Sequence, residues 1–166
     1  MKTLILPGFS LGNKKWAEEL GILDKEIWYW PHWESGNEAD FVAEVQAEKI
    51  INVLTDPVYI IAKSVGTLVT MMILKSKAIL VSKLILNGIP LIGLLDKQEA
   101  RNLYIAGLSK YETEKLMVIQ NQSDPWGSYY DVKNFLKQIN PNVNIISKPR
   151  EDHSYPYSDE FIKFLL

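Results

Sequence analysis

Short runs of Leu, Ile and Val recur along the chain, and segments with helical spacing separate them. Their near-continuous apolar character is typical of strands buried on both faces of a parallel sheet. Residues 26–30 are more aromatic and are predicted to form an edge strand. The sequence therefore predicts a three-layer α/β/α fold with a mostly parallel six-stranded sheet. The five predicted buried strands are residues 3–6, 58–62, 84–87, 116–120 and 143–146.

Two segments between the strands carry apolar residues at the i, i+3, i+4, i+7 spacing of an amphipathic helix. Asn37 and Ser158 precede segments of helical pattern and are predicted to cap helices, because their side chains can accept hydrogen bonds from the first helical turn. The two apolar stripes are Ala47, Ile50, Ile51 and Leu54, and Val132, Phe135, Leu136 and Ile139.

The length and charge of the chain limit its architecture and its partners. At 166 residues, with no repeat and no Gly/Ser-rich linker, it is predicted to form a single domain spanning residues 1–166. The formal net charge is −2 and the Lys and Arg residues are dispersed, so a basic stripe is missing. We therefore expect neither a nucleic-acid nor a membrane partner. Without cysteine, disulfides, thiolate metal ligands and cysteine catalysis are excluded.

The N-terminal segment runs from Met1 and Lys2 straight into a predicted strand, without the apolar stretch and cleavage site of a secretory signal. The longest apolar runs, such as residues 84–95, are shorter than the roughly 18 residues that indicate a membrane-spanning helix. Both observations favour a cytoplasmic location.

A serine at a sharp turn is the most informative local feature. Residues 62–66, Ala-Lys-Ser-Val-Gly, follow a predicted strand and precede an apolar, helix-like segment. A tight strand–turn–helix connection needs small residues two positions before and after its central residue, and Ala62 and Gly66 satisfy this. Ser64 would then lie at a helix N-terminus, where the Val65 amide can face a developing oxyanion.

This segment resembles the G-x-S-x-G nucleophile elbow of the α/β-hydrolases, with alanine in place of the first glycine. The resemblance implies a minimal α/β-hydrolase fold with strand order 2-1-3-4-5-6, lacking the family's first two strands and any cap insertion. In the family the acid follows the penultimate strand and the histidine follows the last. The resemblance therefore implies a triad of Ser64 as nucleophile, Asp124 as orienting acid and His153 as base.

Other interpretations of these residues remain open at the level of sequence. Ser64 could be a turn serine that caps a helix, and His153 could be a surface histidine. Asp124 precedes Pro125 and could serve only to initiate a turn. Asp96 is the rival acid. Asp152 is a poor candidate, because adjacent side chains in an extended segment point apart.

Residues 6–10, Leu-Pro-Gly-Phe-Ser, resemble the family's His-Gly oxyanion segment, with proline in place of histidine. The resemblance implies that the Phe9 amide is the second oxyanion donor, that Gly8 permits close approach, and that Ser10 is a third donor or a cap. The apolar loop of residues 88–95 is predicted to be a pocket wall or short lid. The predicted pocket residues are Gly8, Ser10, Trp33, Ile89, Ile92 and Trp126.

Trp30 is interpreted as a pocket or core residue. The other histidine, His32, precedes the serine, whereas the family's base follows it, so His32 is expected at the surface or in a pocket wall. Lys63 precedes Ser64, but a base rather than a neighbouring cation activates a serine hydroxyl. We therefore assign Lys63 no catalytic role and expect a solvated loop lysine.

By this resemblance the chain is predicted to be a serine hydrolase of small, fairly apolar carboxylic esters or related acyl substrates, working without metal or cofactor. The alternative is a non-catalytic binding protein that keeps the same scaffold. A flavodoxin-like nucleotide binder is disfavoured, because no loop carries a G-x-G-x-x-G or Walker pattern for phosphate. The oligomeric state stays open.

Overall fold

The computed structural model describes residues 1–93 and 97–166, and its centre is a six-stranded parallel sheet. The strand order is β2-β1-β3-β4-β5-β6, and every neighbouring pair is parallel. This confirms the predicted fold class and strand order. The strands are β1 (Thr3–Leu6), β2 (Lys25–Ile27), β3 (Val58–Lys63), β4 (Val81–Asn87), β5 (Leu116–Asn121) and β6 (Ile145–Lys148).

Three of the predicted strands, β2, β4 and β6, have a boundary that differs by two or more residues from the observed one, each for a local reason. β4 begins at Val81 and includes Lys83, whose ammonium donates to two carbonyls at the C-terminus of the last helix. β6 begins two residues later than predicted, because buried Val143 lies in a turn and donates to Asn140 O. β2 is only three residues long, because the chain turns inward and buries Trp30 completely.

The helices lie between the strands, as the alternating sequence pattern predicts. Among the described residues, three single-turn 3-10 helices also occur, at Glu38–Asp40, Ala78–Leu80 and Thr113–Lys115. The α-helices are α1 (Gly12–Glu19), α2 (His32–Ser35), α3 (Ala43–Val53), α4 (Val65–Lys77), α5 (Gln98–Leu108), α6 (Tyr129–Ile139) and α7 (Ser158–Leu165).

The helices pack against both faces of the sheet and form two apolar cores. Helices α3 to α6 bury their stripes on one face, where Ile60 of β3 packs with the core that includes Leu68 of α4. Helices α1 and α7 cover the other face, where Ile61 shares a core with Phe161. Because successive strand residues point to opposite faces, each central strand must be apolar on both.

The predicted helix stripes are buried, except that Ile51 and Ile139 are only partly buried. One predicted cap caps a different helix from the one expected, and the other is not a cap. Asn37 accepts from the Ala39 amide at the start of a 3-10 helix, whereas α3 begins later, at Ala43. Ser158 is the first residue of α7 and forms no capping hydrogen bond.

The topology brings the loops after four strands to one edge of the sheet. Because all strands are parallel, the loop after β1 lies on the same side as Ser64 after β3, Asp124 after β5 and His153 after β6. Within residues 1–93 and 97–166, no helix combines the length and the apolarity needed to cross a bilayer.

Candidate active site

Ser64 occupies a strained backbone conformation between β3 and α4. Its φ of 54° and ψ of −124° lie in a region that residues with a side chain rarely adopt. The Ser64 amide donates to Asn87 O at 3.0 Å, and the Thr67 hydroxyl donates to Ser64 O at 2.6 Å. The surrounding structure therefore holds the turn in a conformation that a serine would not choose alone.

The small residues on either side of this turn have a steric reason. A Cβ built on Gly66 would lie 2.0 Å from Leu6 O and 2.8 Å from Pro7 O, both backbone atoms of the loop that ends β1. Ala62 is fully buried in the core. The elbow is thus formed where α4 passes against the end of β1.

His153 and Asp124 are joined directly. His153 Nδ1 lies 2.7 Å from Asp124 Oδ2, and the Asp124 side chain has no exposed surface. The second carboxylate oxygen, Oδ1, accepts from the Trp126 amide at 2.8 Å. Asp124 therefore both forms its own local turn and contacts the histidine, so the two interpretations drawn from sequence are not exclusive.

The other ring nitrogen of His153, Nε2, is left free by the hydrogen bond to Asp124. Among the described residues, buried Nε2 has no hydrogen-bond partner. Because the carboxylate accepts at Nδ1, the neutral ring carries its proton there and presents a lone pair at Nε2. His153 and Ser64 line the same cavity, of about 380 Å³.

Tyr155 is part of this network, and sequence reasoning missed it. Its hydroxyl donates to Asp124 Oδ2 at 2.6 Å and accepts from the Asn121 amide at 3.1 Å. Burial raises the pKa of Tyr155 well above its ordinary value, so the phenol stays a neutral donor. The Asn121 side chain donates to the carbonyls of Asp152 and Ser154, both at 2.8 Å, and so fixes the loop on either side of the histidine.

Gly88, directly after β4, lacks the side chain that would clash with the rings of Tyr155 and His153. Its φ is +57°, and a Cβ there would lie 2.6 Å from the ring of Tyr155 and 2.9 Å from Cε1 of His153. Asp152 lies beside the histidine in sequence, but its exposed carboxylate pairs with Arg150. The structure therefore brings together Asp124 and His153 and leaves Asp152 outside the network.

The loop after β1 is held by three aromatic rings. Phe9 O accepts from His32 Nε2 and from Trp33 Nε1, both at 2.7 Å. Trp30 Nε1 lies 3.1 Å from Pro7 O and 3.2 Å from Gly8 O. The Phe9 and His32 rings also stack, with centroids 4.3 Å apart. The loop is thus fixed from behind, and Phe9 lines the cavity on its other side.

Phe9 and Val65 both border the cavity beside Ser64. Val65 begins α4, so its amide has no acceptor within the helix. The cavity wall also contains three of the residues expected in a substrate pocket, Ser10, Ile92 and Trp126, together with Asn13.

Four other residues that were expected in a pocket or its wall do not line this cavity. Ile89 is fully buried, and its amide donates to Gln120 Oε1 at 2.9 Å. Trp33 supports Phe9 from behind the loop, whereas Gly8 packs against the Asn13 side chain. His32 is buried under the same loop and lies neither at the surface nor in the cavity wall.

The predicted wall of residues 88–95 is only partly described. Pro90, Ile92 and Gly93 line the cavity, and the Ile92 amide donates to Trp126 O at 3.0 Å. The Ile92 side chain is 60% exposed, so it stands at the rim. Residues 94–95 of the predicted wall and the rival acid Asp96 lie outside the described residues.

The expectation of a solvated Lys63 was wrong. Lys63 is the last residue of β3 and only 6% exposed, because strand alternation places it on the same face as Ile61, under α1. Its ammonium donates to Asn13 Oδ1 at 2.5 Å and lies 5.4 Å from the Trp16 ring centroid. Burial lowers the pKa of Lys63 from 10.5 to about 8, although Asp124 and Asp152 act in the opposite direction.

Across residues 1–93 and 97–166, no group of three or more His, Asp or Glu side chains is placed to hold a metal ion.

The strand order and the strand–turn–helix connection at Ser64 are those of the α/β-hydrolase fold. No protein-family model matches the sequence, and neither does any curated protein. Solved structures do share its fold. The ydeN gene product of B. subtilis is 15% identical and superposes with a TM-score of 0.59, covering 99% of each chain.

Two further structures have descriptions that name an activity. An N-formylmaleamic acid deformylase of Pseudomonas putida S16 is 11% identical, with a TM-score of 0.62 over 99% of this chain and 90% of that one. An esterase of Pyrococcus furiosus is 16% identical, with a TM-score of 0.52 over 99% of this chain and 80% of that one. Together these matches show that the chain has the α/β-hydrolase fold.

Proposed function

We propose that the protein is a serine hydrolase that cleaves small, fairly apolar carboxylic esters or related acyl substrates through an acyl-enzyme on Ser64. One observation carries the proposal. His153 is held at Nδ1 by the buried Asp124 carboxylate and has no partner at Nε2, and His153 and the strained Ser64 border one cavity. Proteins of the same fold that are described as a deformylase and an esterase support hydrolysis as the reaction class.

In the proposed reaction, Ser64 Oγ attacks the substrate carbonyl carbon, and its proton passes to His153 Nε2. The resulting oxyanion is stabilised by the amides of Phe9 and Val65. The tetrahedral intermediate collapses as His153 returns the proton to the leaving group. Water then attacks the acyl-enzyme with His153 as base, and the acid is released. The Asp124 carboxylate stabilises the imidazolium in both halves.

Ser64 Oγ forms no hydrogen bond to another described residue. A serine hydroxyl without a partner can rotate about χ1, and the hydrogen bond between nucleophile and base often tightens only when substrate binds. The fixed parts of the site are therefore the elbow backbone and the histidine, and the hydroxyl is the part that adjusts.

The cavity supports a small, apolar acyl group. Its wall is formed largely by apolar side chains of Phe9, Val65, Pro90, Ile92 and Trp126. A volume of about 380 Å³ lies near the lower end of the size range of small-molecule sites. A short acyl chain seated there would place its carbonyl carbon beside Ser64.

The test is labelling with a fluorophosphonate probe, combined with hydrolysis of p-nitrophenyl butyrate. We expect the wild type to label on Ser64 and to turn over the ester, and both signals to vanish in Ser64→Ala and in His153→Ala. Ser109→Ala, at an exposed position remote from the cavity, is the matched control and should behave as wild type. A folded wild type that neither labels nor turns over would contradict the proposal and favour the binding-protein alternative.

A further inference from the structure

A second cavity adjoins the one that contains Ser64. Its volume is about 430 Å³, and it shares Ser10, Asn13, Trp126 and His153 with the first. We call it the lysine chamber, because Lys63 lies in its wall. The other side chains that line the chamber, such as Trp16, Ser154 and Pro156, carry no fixed charge, so among the described residues Lys63 is its only Lys, Arg, Asp or Glu.

The ammonium of Lys63 is buried without a full set of acceptors. It has three N–H donors, and in the described structure one of them reaches Asn13 Oδ1. Asn13 is itself fixed, because its amide group donates to Ser10 Oγ at 2.8 Å and to Ser10 O at 3.1 Å, which turns Oδ1 toward the lysine. A buried charge with two donors left over is costly unless something else binds it.

The nearest carboxylates do not neutralise this charge directly. Asp124 binds His153 and Tyr155, and Asp152 pairs with Arg150. Lys63 forms no ion pair within 4.0 Å among the described residues. At neutral pH the chamber therefore presents a buried positive charge next to a proposed catalytic histidine.

The two cavities have different relations to the reaction. The oxyanion donors of Phe9 and Val65 border the first cavity, together with Ser64, and none of these three borders the chamber. His153 borders both, and in the proposed mechanism it returns a proton to the leaving group. With the acyl group in the first cavity, as proposed, the chamber is the adjoining space that His153 also borders, and a leaving group can enter it.

We propose that the lysine chamber binds a carboxylate carried by the leaving group of the substrate, with Lys63 as its counter-ion. This inference rests on the proposed hydrolase function. The ring of Trp16 forms an apolar wall beside the ammonium, which suits a leaving group with a flat apolar part and an acidic end. The protein is then an esterase that prefers acylated hydroxy acids over neutral esters.

The kinetic test uses two matched esters, O-butyryl-3-hydroxybenzoate and its neutral methyl ester, and compares the ratio of their kcat/KM values. A charge-assisted hydrogen bond predicts that Lys63→Met lowers the anionic-to-neutral ratio on the order of tenfold to a hundredfold. Lys63→Arg should restore most of it. Lys14→Met, which removes a charge from an exposed position of α1, is the control and should leave the ratio unchanged. A ratio that Lys63→Met does not lower would overturn the proposal.

A binding test does not depend on turnover. In Ser64→Ala, titration of tryptophan fluorescence should show 3-hydroxybenzoate binding more tightly than its methyl ester, and the added substitution Lys63→Met should abolish the difference. Equal binding of both compounds would overturn the proposal that the chamber binds a carboxylate. If the acid binds through Lys63 but the wild type never labels, the hydrolase proposal is wrong and carboxylate binding in the lysine chamber is supported. If the wild type labels but Lys63→Met leaves the anionic-to-neutral kcat/KM ratio unchanged, carboxylate binding in the chamber is wrong and the hydrolase proposal is supported.

The wild type supplies a third measurement in case Lys63→Met does not fold. The preference for the anionic ester should decline as the pH rises through about 8, because Lys63 then loses its proton. Among the other groups near it, Tyr155 stays neutral because burial raises its pKa, and Asp152 stays ionised because the hydrogen bond from Arg150 lowers its pKa. A preference that is constant from pH 7 to pH 9.5 would contradict the proposal.

Discussion

The candidate site has two ends that are built in different ways. The serine end, around residues 62–66, is fixed by close approaches of backbone, since Gly66 touches the carbonyls that follow β1 and Ser64 keeps a positive φ. The histidine end is fixed by side-chain hydrogen bonds, in which Asp124 is the common acceptor of His153 and Tyr155. The serine end therefore depends on the missing Cβ of Gly66, whereas the histidine end depends on side chains that form hydrogen bonds.

The largest effect is expected from adding one carbon at the serine end. Gly66→Ala would place a Cβ 2.0 Å from Leu6 O, and neither backbone can yield without separating α4 from β1. We expect a loss of more than about 3 kcal/mol in the free energy of unfolding, and loss of activity with it. Denaturant unfolding measures this.

Gly107→Ala is the matched control, because its new Cβ would meet the flexible thioether of Met71 at 2.9 Å. We expect a change of no more than about 1 kcal/mol there, since alanine favours the helix and the thioether can move. If the two variants lose equal stability, backbone contact is not what fixes the serine end.

At the histidine end, Asp124→Asn should leave the fold intact and reduce kcat by ~10⁴-fold, because an amide can no longer fix the imidazole tautomer or stabilise the imidazolium. The measurement is kcat for p-nitrophenyl butyrate, with Asp56→Asn as an exposed control. A fall of less than tenfold would show that Asp124 forms only its local turn.

Lys63 departs from this division between backbone contacts and side-chain hydrogen bonds, because it is a charged side chain buried beside the serine end. Its folded pKa of about 8 lies below the unfolded value of 10.5, so the unfolded state binds more protons between these values. The free energy of unfolding therefore rises with pH across this window. Relative to Lys63→Met, the wild type should gain on the order of 3 kcal/mol between pH 7 and pH 10.5.

The difference in stability between the wild type and Lys63→Met reports on Lys63 alone. Burial raises the pKa values of Tyr104, Tyr111 and Tyr155, so these tyrosines destabilise both proteins equally at high pH. Thermal or denaturant unfolding at several pH values checks the prediction. A stability difference that stays constant from pH 7 to pH 10.5 would contradict it.

The smallest effect is expected from Tyr155→Phe, which removes one of three hydrogen bonds to the Asp124 carboxylate and leaves the Asn121 amide unpaired. We expect a loss of about 1–3 kcal/mol in stability. As a positioning residue it should also lower kcat about tenfold, with KM little changed.

The control for Tyr155→Phe is Tyr111→Phe, which likewise removes a buried hydroxyl, one that donates to Val81 O at 2.9 Å. It should cost comparable stability without lowering kcat. If the two variants have the same kcat, Tyr155 supports the fold and not the histidine.

The contrast also explains which parts of the site could be predicted from sequence. The serine end is local, so the small residues at 62 and 66 carry its signature within five positions. The histidine end joins residues about 30 positions apart, and the placement of Asp124 and His153 followed only from the expected order of elements. Tyr155 and Gly88 lack a local signal, because their roles come from contacts across β4 and β5.

Lys63 could have been placed correctly. It continues the alternation of Tyr59 and Ile61 along β3, and residues on that face lie under helices at both ends of the chain. The polar residue type suggested a loop, but the period-2 pattern indicated burial. The loop after β1 is the opposite case, since nothing in residues 6–10 shows that His32 and Trp33 would converge on Phe9 O.

The hydrogen bond from Trp30 has an electronic consequence. Gly8 O and the Phe9 amide belong to the same peptide plane, so the indole proton on that oxygen withdraws electron density from the plane and makes its N–H a stronger donor. The indole is fully buried, so this polarisation exists before any substrate arrives. In the proposed reaction the Phe9 amide is an oxyanion donor, and a donor that is already strengthened needs no reorganisation when negative charge develops on the substrate.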